Sequence, residues 1–172
     1  MKKTNPISAK EIGIIAENLR EEFKIKKGSF FPIYDVITFY MEIGVLTVQV
    51  MDNEDPMFED DIPALYSPYD NFIYIKESIL EDYENNEYRA NFTLAHEFFH
   101  FLQHKVLNFT FEEVDECKAY FDPEWQANEF AAQLLIPNEY IDMEVNEIVD
   151  KFHVSEICAT TRKLKMKRRL NK

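Results

Sequence analysis

The chain has 172 residues, of which 46% are hydrophobic and 15% aromatic, and this length and apolar content suit one domain with one core. Its formal net charge of −13 argues against nucleic acid as a direct ligand, because a phosphate backbone is bound by a basic surface. No apolar run is long enough to span a membrane, and the N-terminus lacks the apolar core of a signal peptide, so no membrane contact is expected.

Cysteine content and charge pattern narrow the class of protein further. Two cysteines, Cys117 and Cys158, do not make a disulfide framework, which predicts a cytoplasmic protein with reduced thiols. Both cysteines are expected in the core. The segment 162–172 holds seven of the 19 basic residues and no acidic one. The rest of the chain is strongly acidic, which disfavours DNA binding by this basic tail. An acidic surface of this kind favours solubility or binding of a basic partner.

The first half of the chain predicts two helices followed by a small sheet. A capping box at Ser8–Glu11 opens the first helix. Pro32 starts the second helix and Gly44 ends it. A β-branched run follows, and the turn SPYDN between two further apolar runs predicts a hairpin. These elements are predicted, in chain order, at residues 8–23, 32–44, 45–51, 64–66 and 72–75.

From about Asn86 onward the apolar spacing is typical of helices. One helix is predicted to run to about His104, followed by a loop or short helix over 109–121. Pro123 opens the next helix, to Leu135. A further helix is predicted from Pro137 to about Phe152, and Ser155 is the predicted N-cap of the last one.

The predicted architecture is a single α+β domain over 1–172. It is mainly helical, with a small three-stranded sheet packed on the helix that ends near His104. Its parts are N-terminal helices 8–43, a sheet 45–76, helices 86–136 and C-terminal helices 137–170.

The segment "TLAHEFFHFLQH" contains the spacing His-Glu-x-x-His. On a helix, His96 and His100 lie on one face and can bind one metal ion together. Glu97 lies about 60° around the helix from His100, where it can act as a general base on water at the ion. His104 is about 12 Å along the axis from His96, too far to share the ion, and is predicted to interact with the helix C-terminal dipole.

A catalytic zinc site needs a third protein ligand, and "PEWQANEFAAQLLIP" offers one. Glu124, Ala127, Asn128 and Ala131 share one helix face, and the small alanines allow close approach to the motif helix. Glu124 is therefore predicted as the third ligand, and Asn128 as a residue that hydrogen-bonds a ligand. Glu129 points about 140° away from Glu124 and is not predicted to bind the ion.

These two segments together resemble the ImmA/IrrE family of metallopeptidases. The family pattern is approximately R-x-x-F-T-x-A-H-E-x-x-H, then E-x-x-A-(N/D)-x-F-A-A-x-L-L-x-P, and "FIYIKES" and "FHVSEICATTRKL" extend the likeness more weakly. The resemblance implies a zincin-like fold of the thermolysin (gluzincin) type. It also implies one Zn²⁺ per chain, held by His96, His100 and Glu124, with Glu97 as catalytic base.

Two features depart from the family pattern. Phe98 and Phe99 replace a frequent Leu-Gly pair, so two rings must be housed around the motif helix. The aromatic, acidic segment 109–121 is longer than usual and is expected to shape or block the cleft.

The predicted activity is that of a zinc-dependent endopeptidase. Its oxyanion donor is left open among Tyr88, Tyr120, Tyr140 and His153. The family resemblance implies a protein substrate, a helix-turn-helix repressor or regulator of a phage or mobile element. The alternative is a catalytically weak, metal-stabilised binding module that sequesters a regulator without cutting it.

Overall fold

The computed structural model describes residues 1–58, 62–85 and 87–170. Within these ranges the protein is α+β and mainly helical, with a small three-stranded sheet, as predicted. The elements are, in chain order, β1 (Lys2–Thr4), α1 (Ala9–Glu22), α2 (Ile33–Glu42), β2 (Thr47–Met51), β3 (Ala64–Ser67), β4 (Phe72–Lys76), α3 (Glu77–Glu84), α4 (Arg89–Phe101), β5 (Phe111–Glu113), α5 (Pro123–Leu135), α6 (Val145–Phe152) and α7 (Glu156–Leu170). None of the described helices is both long and apolar enough to cross a membrane.

Helix α1 begins at the predicted capping box and packs along α5. The Ser8 backbone N–H donates to Glu11 Oε2 at 2.8 Å, and the Glu11 N–H donates to Ser8 Oγ at 3.3 Å. Gly13 leaves room for the Gln133 side chain of α5, because a Cβ there would be 2.6 Å from Gln133 Oε1. The apolar stripe of α1 is thereby buried against α5.

The sheet has the order β2-β4-β3, with β2 parallel and β3 antiparallel to β4. The predicted hairpin is present, and Asn71 provides the positive φ of 63° in its turn, a conformation that Asn tolerates better than most residues. β3 is an edge strand, and it is the strand that packs on α4. The sheet therefore presents the free edge of β3 beside the helix that carries His-Glu-x-x-His.

Helix α4 lies at the centre of the core, and it houses the unusual pair Phe98 and Phe99 without opening the fold. Both rings are fully buried. Phe99 stacks on Phe130 of α5 with ring centroids 4.4 Å apart, while Phe98 lies 5.3 Å from the Tyr40 ring of α2. The two adjacent rings thus pack into opposite sides of the core.

Several local predictions were wrong. The helix α3 was not predicted, and α4 ends at Phe101, after which one π-helical turn spans Leu102–Val106. The segment 109–121 contains the strand β5, which pairs with β1 in a second, two-stranded sheet, and a 3₁₀ turn. The segment after Pro137 starts with a 3₁₀ turn and becomes α-helical only at Val145. The pairing of β1 with β5 joins residues more than a hundred positions apart, which no local pattern reveals.

The C-terminal helix α7 is anchored on α5. Its predicted N-cap is present, with the Cys158 N–H donating to Ser155 Oγ at 3.2 Å. Both cysteines are free thiols, but Cys158 is buried whereas Cys117 is partly exposed, so the core prediction for Cys117 was wrong. Further along α7, three basic side chains surround the buried Glu129 carboxylate of α5.

Candidate metal centre

Three side chains from two helices converge at one point. His96 and His100 lie one turn apart on α4, and their Nε2 atoms are 3.1 Å apart. Glu124, in the first turn of α5, places Oε2 at 3.2 Å from His96 Nε2 and Oε1 at 3.4 Å from His100 Nε2. The structure therefore brings together the three residues that the sequence predicted as ligands, and within the described residues they form a compact His₂Glu group.

The spacing of these atoms fits a tetrahedral ion. Zinc bonds of about 2.0–2.1 Å in tetrahedral geometry separate the ligand atoms by roughly 3.3 Å. The observed separations of 3.1, 3.2 and 3.4 Å agree with that value. Two imidazoles and one carboxylate also match the ligand set of a catalytic zinc that keeps a fourth position open.

Glu97 is directed to the side of this group rather than into it. Its Oε1 is 4.0 Å from His96 Nε2, and its Oε2 accepts a hydrogen bond of 2.7 Å from the Tyr66 backbone N–H of β3. Burial raises the pKa of Glu97, and this effect outweighs the opposing influence of His100, His96 and the Tyr66 N–H. A buried carboxylate whose pKa is raised can take up a proton more readily than an exposed one.

Each histidine has a hydrogen-bond partner on the ring nitrogen that faces away from the convergence point. The Nδ1 of His96 is 3.2 Å from Asn128 Oδ1, and the Nδ1 of His100 is 2.9 Å from Gln103 Oε1. With Nε2 as the ligand atom, each Nδ1–H donates to an amide oxygen, which fixes the tautomer and the ring orientation. Asn128 thus lies where the sequence predicted.

Gln103 was missed by the sequence analysis. It is completely buried, and its Nε2 donates to Gln126 Oε1 of α5 at 2.7 Å. Gln126 Nε2 donates in turn to the carbonyls of Asn5 and Tyr120. A glutamine three residues after a predicted histidine ligand is a signal that could have been recognised, because positions i and i+3 are neighbours on a helix.

The charges of the three proposed ligands depend on one another. Hydrogen bonds from His100 and His96 hold the pKa of Glu124 far below its usual range. Burial lowers the pKa of His100, but the hydrogen bond to Glu124 and the charges of Glu97 and Glu124 outweigh it, so the pKa is raised. A cation at this point is therefore favoured by the Glu124 carboxylate, which faces it, and by the Glu97 carboxylate beside it.

A cavity of about 640 Å³ opens over the three side chains. Its walls come from the edge strand β3, from the exposed face of α4 and from the β1–β5 sheet. The lining includes His96, Glu97, His100 and Glu124. The cavity thus lies between the convergence point and the edge strand β3.

The four residues predicted as possible oxyanion donors lie outside the described lining of this cavity. Tyr88 and His153 stack on each other at 4.9 Å with nearly parallel rings. The Tyr140 hydroxyl approaches Gly28, and Tyr120 packs beside Phe121 near a different, shallower cavity. The sequence alone could not exclude these four residues as donors, because tertiary packing decides which side chains line the cavity.

His104 lines the cavity instead. Its ring stacks on Phe111 of β5, with ring centroids 4.1 Å apart. Burial and the neighbouring charges of His100 and Lys2 lower the pKa of His104 to about 4, so the ring is neutral at pH 7. The structure places His104 in the π-helical turn that directly follows α4, and its predicted interaction with the helix C-terminal dipole stays a prediction.

The comparison with protein families shows to which family the chain belongs. A model of the IrrE N-terminal-like domain, Peptidase_M78, matches residues 48–163, more than half of the chain. The chain belongs to this family. The match includes both helices that carry the convergent side chains. The family resemblance stated from the two motifs is confirmed, and at the family level the protein is of a metallopeptidase type, which implies metal binding.

Comparison with solved structures adds support for the fold alone. A Mycobacterium tuberculosis transcriptional regulator superposes with a TM-score of 0.56 at 14% sequence identity. The alignment covers 88% of this chain and 54% of the regulator, so the chain spans about half the length of that protein. No curated protein sequence matches the chain.

Proposed function

We propose that the protein is a zinc-dependent endopeptidase. The observation that carries this proposal is the convergence of His96, His100 and Glu124 at separations of 3.1–3.4 Å, with the Glu97 carboxylate beside them in an open cavity. A zinc ion held there would lower the pKa of a water molecule toward 7 and polarise a peptide carbonyl. His96, His100 and Glu124 would be its ligands, and Asn128 would orient His96.

In this proposal Glu97 moves the protons. Its Oε1 would take a proton from the attacking water and deliver it to the nitrogen of the leaving amine. The hydrogen bond from the Tyr66 N–H engages Oε2, while Oε1 lies 4.0 Å from His96 Nε2, beside the proposed position of the ion. That contact also fixes the carboxylate relative to β3.

Strand β3 would hold the substrate by pairing with it. The backbone N–H and C=O groups of one strand residue point to the same side of the strand, and those of the next residue point to the opposite side. The Tyr66 N–H faces Glu97, so the Tyr66 carbonyl and both backbone groups of Ala64 also point away from β4. An extended peptide that hydrogen-bonds this edge would lie across the proposed metal ligands.

The proposed oxyanion donor is His104. Its ring is held by Phe111, it lines the same cavity, and it is neutral, so an N–H is present without a competing positive charge. A neutral N–H donor in the same cavity can stabilise the negative charge that develops on a tetrahedral intermediate.

The proposed substrate is a helix-turn-helix repressor or regulator of a phage or mobile element, cut in the cytoplasm. This part rests on the resemblance of the motifs to the ImmA/IrrE family. The net charge of −13 supports it in a general way, since an acidic protein attracts a basic DNA-binding protein by long-range electrostatics.

The test compares zinc-loaded wild type with Glu97→Gln on a complex peptide mixture, with new N-termini detected by mass spectrometry. Wild type should cut, and Glu97→Gln should keep one zinc per chain and lose about 10²–10⁴-fold in rate. Glu113→Gln, at an exposed position of β5, is the matched control and should cut normally. A Glu97→Gln protein that cleaves like wild type would refute the assignment. One that loses cleavage but keeps full biological function would identify the sequestering module instead.

A further inference from the structure

A second cavity of about 440 Å³ adjoins the proposed catalytic cleft. It lies between the N-terminal half of α4, the first turns of α5 and the face of α7 that carries Ile157, Arg162 and Lys165. Phe92, Thr93 and Glu124 line both cavities, so the two are continuous past the proposed metal ligand. A polypeptide that crosses the metal centre along β3 can reach this second cavity without leaving the protein surface.

The side chains that line the second cavity are mainly apolar near α4 and α5. Phe92 and Trp125 form that side, and Ile157 of α7 closes the opposite side while 79% of its own surface is exposed. An isoleucine exposed to this extent beside an apolar cavity gains burial when a second apolar group occupies the cavity.

The wall formed by α7 is basic. Arg162, Lys165 and Arg169 of α7 surround the buried carboxylate of Glu129, at N–O distances of 3.6, 3.7 and 2.9 Å respectively. Nε and Nη1 of the fully buried Arg162 have no hydrogen-bond partner among the described residues. Three cations thus share one carboxylate, and Lys165, which is about one third exposed, lies at the cavity.

The acidic residues of the cavity lie at its other end. Asp122 is used as the N-cap of α5, where it accepts from the Glu124 N–H at 3.0 Å, and Glu124 belongs to the proposed metal centre. Arg89 is paired with Asp82 at 2.6 Å. The two cations of α7 that line the cavity, Arg162 and Lys165, share the Glu129 carboxylate with Arg169, so three positive charges on α7 lie against one negative charge.

We propose that this second cavity is a substrate subsite that selects a large apolar side chain together with an acidic residue two positions away. In an extended chain, residues two positions apart lie on the same face, about 7 Å from each other. The apolar side chain would fill the space between Phe92, Trp125 and Ile157, and the carboxylate would approach Lys165. This inference rests on the proposed peptidase function and adds the class of sequence that is bound.

The test measures binding of short peptide hydroxamates, which anchor on zinc, to the zinc-loaded protein. Leu-x-Asp, Ala-x-Asp and Leu-x-Asn are compared with the hydroxamate at either end of the peptide, so that both directions across the metal centre are sampled. Wild type should prefer Leu to Ala by about tenfold or more, from the area buried. It should prefer Asp to Asn by roughly three- to tenfold, less at high salt.

Two pairs of variants separate the apolar and the charged contributions. Ile157→Ser should reduce the Leu preference, while Leu164→Ser, a half-exposed residue of α7 outside the cavity lining, should leave it unchanged. Lys165→Gln should abolish the Asp preference, while Lys167→Gln, which is exposed on the same helix, should not. Because Ile157 and Leu164 are both exposed, neither substitution is expected to unfold the protein, so unfolding would not explain either result.

The outcomes distinguish the subsite from the proposed function. If zinc-loaded wild type binds all hydroxamates equally, or if the variants behave like their controls, the subsite is refuted while the metal centre stands. If zinc-loaded wild type binds no hydroxamate at all, the proposed function fails and the subsite fails with it.

Discussion

Replacement of Glu124 by Ala tests the metal centre through stability. Glu124 supplies two oxygens at 3.2 and 3.4 Å from the two imidazoles, so its loss leaves only His96 and His100 as ligands. A ligand that binds only the folded state stabilises it by about 2.7 kcal/mol when present at 100 times its dissociation constant. For a chain of this size each kcal/mol moves Tm by about 2–4 °C, so zinc should raise the wild-type Tm by roughly 5–11 °C.

The assay is thermal unfolding of chelator-treated protein with and without zinc, at one protein concentration. Glu124→Ala should lose most of the zinc-dependent shift. Its Tm without zinc should stay within a few degrees of wild type, since the Glu124 side chain is 64% exposed and contributes little packing. A zinc-dependent shift in Glu124→Ala equal to that of wild type would refute the three-ligand reasoning. Absence of any shift in wild type would refute zinc binding by this group.

Three further predictions concern the core, the buried charge and the cleft. Phe99→Ala removes a fully buried ring stacked on Phe130, and should lower the free energy of unfolding in urea by about 3–5 kcal/mol. Burial raises the pKa of Glu129, but the ion pair with Arg169 and the nearby cations outweigh it and lower the pKa below 4.5. The stability lost in Glu129→Gln should therefore be greatest above pH 4.5 and should shrink as the pH falls below it, as urea titrations across pH can measure. His104→Phe keeps a ring for stacking but lacks the N–H, so kcat should fall about 10²-fold with unchanged zinc content; an unchanged kcat would exclude His104 as the donor.

The central part of the site was accessible from the sequence because local geometry determines it. Helical periodicity places His96 and His100 on one face and separates Glu97 from them, whatever the rest of the fold does. The face shared by Glu124 and Asn128 follows from the same periodicity in α5. The site also requires that α4 and α5 pack closely together. The small Ala127 and Ala131 side chains predicted this close packing, and both are fully buried in the structure.

The remainder depended on contacts between distant segments. The strand β1 exists as a partner of β5, and its three residues carry no strand signal of their own. His104 reaches the cleft because a π turn follows Phe101 and because Phe111 stacks on its ring. The buried link from His100 through Gln103 to Gln126 likewise joins α4 to α5. Residue spacing contains no information about which aromatic or amide side chains meet across such distances.

The sequence by itself predicted the residues of the centre, because helical spacing places His96 and His100 on one face of α4 and Glu124 on the face of α5 that carries small alanines. The tertiary structure alone decided which groups surround it. Tyr88 and His153 stack on each other outside the cleft, and the buried Glu129 holds the basic wall of α7 beside the cavity that Glu124 lines. The physical reason is that periodicity fixes neighbours within one helix, whereas neighbours between elements are selected by burial and packing of the whole chain.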